Sequence, residues 1–240
     1  MTRKGDYGID APYVVAIFAV GALLGASAFG IGYVLELPWL ATIGVWVFAF
    51  DVMCGGSYLY ATRRGKHVVW ERLIGELGLA GDETIVDVGC GRGAVLLLAA
   101  ARVPRGKAIG IDIWSKTDQS GNAESVTRKN AELEGVSDRV ELVTADMREL
   151  PLADASADVV VSSLAIHNVR RADERAKAIA EIARIVKPGG RVAIADINFT
   201  RAYADELAKH GVTATVRGLG PRFWFGGPQV AARLVSGTKR

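Results

Sequence analysis

The stretch that most restricts what this chain can fold into is Thr84 to Val95, TIVDVGCGRGAV. Thr84, Ile85, Val86, Asp87 and Val88 form a short β-branched apolar run, the pattern of a parallel strand buried on both faces. Gly89, Gly91 and Gly93 follow at alternate positions, and a helical run opens from Ala94 to Arg102. Glycine lets the chain turn tightly off the strand and lets backbone N–H groups approach a ligand with no Cβ between them. Asp87 places a carboxylate at the mouth of the same turn. The spacing is D-x-G-x-G-x-G, whereas a dinucleotide turn needs G-x-G-x-x-G with its third glycine packing helix on strand.

The chain has 240 residues and half of them are hydrophobic, an excess that lies near the N-terminus. Residues 1–62 hold two basic side chains, Arg3 and Lys4, against four acidic ones, Asp6, Asp10, Glu36 and Asp51. The rest is mildly basic, without a long basic run or basic–aromatic alternation, which argues against nucleic acid as a partner. Cys54 and Cys90 make neither a disulfide framework nor a C-x-x-C metal site, and His67, His167 and His210 are isolated. No metal site is expected.

Pro12 to Leu35 carries no charge over 24 residues, and Trp39 to Ala61 carries one, Asp51, over 23. A helix needs about 20 residues to cross a hydrocarbon core of about 30 Å. The expectation is a transmembrane helical hairpin, about 12–35 and 39–61, turning at Glu36-Leu37-Pro38. A cleaved signal peptide would fit Ala26-Ser27-Ala28, but a second apolar run follows at once. A buried core hairpin fits less well, because Tyr7, Tyr13, Tyr33, Trp39, Tyr58 and Tyr60 fall where interfacial aromatics belong. Arg3 and Lys4 before the hairpin, and Arg63, Arg64 and Lys66 after it, predict both ends at the cytosolic side of the cell membrane. Gly21 and Gly25 form a small-residue pair for packing the two helices, with homodimerisation as the alternative. Asp51 is expected to face the partner helix or a lipophilic substrate.

Residues 63–240 read as an α/β domain: a doubly wound, Rossmann-like, seven-stranded and mostly parallel sheet. A lead-in helix spans Lys66–Leu79, and strands are expected at 84–88, 108–113, 140–144, around 159–161 and at 192–195. Val212–Val216 and about Gln229–Val235 are expected to close the sheet as an antiparallel pair around the aromatic loop PRFWFGGP. Asp112 ends strand two, where doubly wound folds set an acid against ribose hydroxyls; a plain strand-end cap is the alternative. Trp114 either stacks on an adenine or covers the sheet edge. The polar loop Ser115–Asn122, SKTDQSGN, is long for a strand-to-helix connection and is expected over the ligand. Ser162, Ser163, His167 and Asn168 emerge at the C-terminal end of strand four, where open α/β sheets keep their chemistry. His167 is the candidate catalytic residue, since an imidazole of pKa about 6.5 suits proton transfer near neutrality. Its alternative role is to cap the next helix or bond to backbone.

DVGCGRG, GIDI, ADMRELPLADASADVVV and IVKPGGRVAIAD occur in the order and spacing of the class I S-adenosylmethionine-dependent methyltransferases, which the chain resembles from about Lys66 onward. Leu150–Val169 looks most like the quinone-biosynthesis C-methyltransferases. The arsenite methyltransferases are also similar but need several thiols, and this chain has two. The hairpin lies outside the family pattern. The resemblance implies S-adenosylmethionine as cofactor, with Asp87 near its methionine part and Asp146, beside Met147, near the adenine amino group. Together with Gly89, Gly91, Gly93, Asp112, Trp114 and Ser163 these make the expected cofactor site. Tethering favours a small lipophilic methyl acceptor, and a chain cut after Arg64 is expected to keep its cofactor. A nicotinamide oxidoreductase and a non-catalytic tethered binding module are the alternatives.

Overall fold

The computed structural model describes residues 3–240. Two long helices, α1 (Pro12–Val34) and α2 (Pro38–Tyr60), form the hairpin. Both are long and apolar enough to cross a membrane. Their outward faces expose Leu23, Leu24, Ile31, Trp46 and Met53. Glycine sets how closely they meet: a Cβ on Gly25 would lie 2.5 Å from the Phe48 nitrogen, and one on Gly44 2.3 Å from the Phe29 nitrogen. A Cβ on Gly21 would strike the Asp51 carboxyl at 2.5 Å, so Asp51 faces α1. Gly21 and Gly25 thus face α2 within the chain, Gly25 buried and Gly21 half-buried.

Helical backbone continues past α2 and across residues 62/63. It runs through a π-helical turn, Ala61–Gly65, straight into α3 (Lys66–Glu76). Then come β1 (Thr84–Val88), α4 (Leu96–Ala100), β2 (Lys107–Asp112), α5 (Glu124–Glu134), β3 (Val140–Thr144) and β4 (Ala157–Ser163). The chain continues through α6 (Ala172–Ile185), β5 (Val186–Asp196), α7 (Thr200–Lys209), β6 (Val212–Gly218) and β7 (Arg233–Lys239). The seven strands form one mixed sheet of order β3-β2-β1-β4-β5-β7-β6, parallel up to β5 and antiparallel beyond it. β7 starts four residues later than the sequence suggests, because Pro228–Val230 forms a 3-10 turn. β5 starts earlier: Val186 already pairs with Ala157, ahead of a register shift.

Alternation along the strands decides which side chains meet. Ile85, Val159 and Val161 pack on one face with Trp70 and Leu73 of α3, while Val86, Val88 and Val160 pack on the other with Ile179, Ile182 and Tyr203. By that parity Asp87, Asp112 and Ser163 share the face covered by α3. The base of the hairpin belongs to the same core: Tyr58 and Ala61 pack with Trp70, Phe223 and Phe225, and Val14, Val15 and Phe18 rest against them. The aromatic loop is clamped there, with Ser57 donating to the Trp224 carbonyl at 3.0 Å.

Candidate active site

The C-terminal edge of the parallel strands opens into a cavity of about 710 Å³, bounded on the far side by the hairpin base. The glycine turn forms its floor. The N–H groups of Gly89 and Cys90 donate to the Ile111 carbonyl at 2.8 and 3.1 Å, tying the turn to β2. Gly89 has φ +78°, and a Cβ there would lie 2.2 Å from that of Ala165. At Gly91, φ +50°, a Cβ would meet the Gln119 carboxamide oxygen at 2.4 Å. The turn's close packing therefore involves the SKTDQSGN loop as well as any ligand.

Asp87 is buried and borders the cavity, and among the described residues neither of its carboxylate oxygens has a hydrogen-bond partner. Burial pushes it up to about 7 and the charge of Asp112 adds to this, against the lowering pull of the Leu96 backbone N–H, which lies too poorly placed for a hydrogen bond, and of the Lys66 charge. Asp112 combines both anticipated roles. It caps the strand end, accepting from the backbone of Gly91 at 2.8 Å and Trp114 at 2.6 Å, and it also borders the cavity. Trp114 lies outside the cavity lining: its indole N–H donates to Thr144 Oγ1 at 2.7 Å, over the sheet edge, and Ile113 lines the cavity instead. Asp146 and Met147 are at the rim. Arg148 grips Asp146 and holds its carboxyl below the usual range. Ser163 faces the cavity and accepts from the Trp70 indole at 2.8 Å.

His167 sits on a short 3-10 turn, Ile166–Asn168, at the cavity wall. Its Nδ1 lies 2.5 Å from Oδ1 of Asp196, a fully buried carboxylate at the end of β5. The His167 backbone N–H donates to Asp196 Oδ2 at 3.1 Å, and the Tyr203 hydroxyl donates to the same oxygen at 3.3 Å. The sequence reading missed Asp196, although it ends a strand as Asp87 nearly does and Asp112 does. It also missed Gln119, which accepts from the Arg92 N–H at 2.8 Å, and the whole hairpin wall: Asp10, Lys66, Tyr13, Val14, Phe18 and Tyr58.

Residues 86–194 match the family described as "Methyltransferase domain". An arsenite methyltransferase of Halobacterium salinarum is 33% identical over 130 residues, 54% of this chain and 31% of the relative. A ubiquinone/menaquinone biosynthesis C-methyltransferase, UbiE, of Syntrophotalea carbinolica is 32% identical over 123 residues, 51% of this chain and 47% of the relative. The chain spans less than half the length of these two relatives. A solved geranyl diphosphate methyltransferase in complex with S-adenosylmethionine shares the fold, with TM-score 0.59 and 17% identity over 72% of this chain and 85% of that one. The solved geranyl diphosphate C-methyltransferase of Streptomyces coelicolor shares the fold, with TM-score 0.61 and 18% identity over 75% of this chain and 81% of that one. A cyclase, SpnF, shares it at TM-score 0.58, 18% identity, 70% of this chain and 80% of that one, so the fold alone does not dictate the reaction.

The residues of the cavity fit S-adenosylmethionine, the cofactor that the resemblance implies. S-adenosylmethionine carries an ammonium group at its methionine end, and the two unpartnered oxygens of buried Asp87 are what such a group would satisfy. Cys90 is buried beside them, and burial pushes its thiol well up, keeping it protonated.

Proposed function

We propose that this protein is a membrane-anchored methyltransferase that moves the methyl group of S-adenosylmethionine to a small lipophilic acceptor by direct displacement. The observation that carries the reading is a single cavity bordered both by the glycine turn and by the first two turns of α1, through Tyr13, Val14 and Phe18. An acceptor leaving a bilayer along α1 would meet those apolar side chains first and the strand ends next. The cofactor's sulfonium supplies an already activated methyl group, so the chain's task is orientation and proton removal.

Gly89, Gly91 and Gly93 shape the turn under the cofactor, while Asp87, Asp112, Asp146, Met147 and Ser163 bound its place. Trp114 acts from outside, by holding the sheet edge at Thr144. His167 takes the acceptor's proton or positions its nucleophile. Nδ1 lies in close ionic contact with Asp196, without hydrogen-bond geometry, so Nε2 is the nitrogen turned to the acceptor and the buried carboxylate lies beside the imidazolium that results.

Incubating full-length protein with a membrane lipid extract and isotopically labelled methyl donor tests the reaction. Label is expected in the lipid phase by mass spectrometry, and label confined to water-soluble products would refute the lipophilic acceptor. The anchor is tested separately in intact cells, where Glu36→Cys should react with an impermeant thiol reagent and Arg64→Cys should not. Cys54 and Cys90 are buried, which keeps the background low. The reverse labelling pattern would overturn the cytosolic placement of the catalytic domain.

A further inference from the structure

The hairpin wall carries one feature that an anchor does not need. Asp10, in the strap leading into α1, accepts two hydrogen bonds from Lys66 Nζ, one to each oxygen, both 2.8 Å. It also accepts from Thr62 Oγ1 at 2.8 Å and from Gln119 Nε2 at 3.2 Å. Asp10 is thereby saturated, with two donors on each oxygen. Lys66 is not, because an ammonium has three protons and this one spends two. The Lys66 side chain is 5% exposed and borders the cavity.

Lys66 opens α3, the helix packed on the face of the sheet to which Asp87 belongs. Among the described residues the cavity thus holds a buried carboxylate with no hydrogen-bond partner and a buried ammonium with one donor unspent. An α-amino acid presents the complementary pair, an ammonium and a carboxylate on one carbon. The methionine end of S-adenosylmethionine is such a group.

We infer that Lys66 binds the carboxylate of the cofactor's methionine moiety while Asp87 takes its ammonium, Asp10 serving to hold Lys66 in place. This rests on S-adenosylmethionine being the cofactor. The π-helical turn Ala61–Gly65 positions Lys66, inserting a wider turn directly before it. That turn is fixed from outside: a Cβ on Gly65 would lie 1.8 Å from the Arg222 carbonyl oxygen. Strap, hairpin base and aromatic loop therefore converge on the placement of one ammonium group.

Decarboxylated S-adenosylmethionine, which keeps the ammonium and lacks the carboxylate, separates this role from a structural one. Calorimetry on the full-length protein in detergent should show wild type preferring S-adenosylmethionine over the decarboxylated form by about tenfold or more, the scale of a hydrogen bond to a charged group. Lys66→Met should abolish most of that preference. The double variant Lys66→Met/Asp10→Asn removes both charges of the pair, guarding against a misfolded single variant, and should likewise bind the two forms nearly equally. Methylthioadenosine, which lacks the whole amino-acid end, should bind all three proteins alike. A preference that survives in the double variant, or is absent from wild type, overturns the assignment. So does a loss of methylthioadenosine binding parallel to that of S-adenosylmethionine, which would make Lys66 structural. Wild type that binds methylthioadenosine and the decarboxylated form but shows no gain from the carboxylate leaves the methyltransferase reading standing. Wild type that binds none of the three overturns both.

Discussion

The two walls of the cavity are built from different materials. Along the sheet edge, Asp87, Asp112 and Asp196 stand at or next to strand ends, and the backbone turns through glycines with positive φ. Across from it, the hairpin base offers Tyr13, Val14, Phe18 and Tyr58, with Asp10 and Lys66 joined in a pair. One wall presents carboxylates and turn backbone; the other presents apolar surface and a cation. The difference teaches that the hairpin is part of the pocket and not a detachable tether. In the proposed function, the polar wall takes the cofactor and the apolar wall the acceptor.

Removing the hairpin wall outright should have the largest effect. A chain starting at residue 65 loses Asp10, Tyr58 and Phe18, which uncovers the Lys66 ammonium and the apolar core around Trp70, Phe223 and Phe225. The truncated chain is expected to unfold at lower temperature and to lose calorimetric cofactor binding, contrary to what the sequence alone suggests. Binding equal to that of the full chain would make the wall dispensable.

On the sheet side, His167→Ala should reduce turnover by about 10²-fold or more, the usual scale of general-base catalysis. Asp196→Asn should act in the same direction through the imidazole, while cofactor affinity stays constant in both. Rates of labelled methyl transfer at pH 6 to 9 decide this. Unchanged turnover in His167→Ala would leave positioning as the protein's whole contribution.

A smaller, pH-dependent effect belongs to Asp87. Its folded value is about 7 against an ordinary 3.8, with burial the main cause. The folded state therefore holds a proton that the unfolded state has released, and stability falls as pH rises through that interval, levelling off above about 7. Cofactor-free protein should melt at lower temperature at pH 8 than at pH 5.5, and Asp87→Asn should remove most of this slope. S-adenosylmethionine affinity should run the other way, rising with pH as the carboxylate ionises. Half-buried His67, held down to about 3, adds stability with rising pH up to about 6.5 and works against this slope. A pH dependence identical in wild type and Asp87→Asn is therefore the result that would contradict the unpartnered state of Asp87.

The smallest effect is expected at Trp114. Trp114→Phe loses the bond to Thr144, worth about 1 kcal/mol of stability, and should leave cofactor affinity unchanged in calorimetry. A marked loss of affinity would return Trp114 to the cofactor.

What the sequence determined by itself is local. The β-branched run Thr84–Val88, the alternate glycines after it and the two uncharged stretches each state their conformation within a dozen or two residues. Burial periodicity, positive φ and helix length are properties of neighbouring positions. Chain order also placed Asp87, Asp112 and His167 at the sheet's productive edge. Only the tertiary structure decided which groups meet there. Asp10 and Lys66 are 56 residues apart, and His167 and Asp196 are 29 apart. Whether Trp114 turns into the cavity depends on Thr144 in the neighbouring strand, and whether Gly21 is free depends on Asp51 across the hairpin. Such pairings follow from which strand ends lie side by side and how closely helices approach. These are properties of packing that no local pattern encodes, and they made the hairpin a wall of the site.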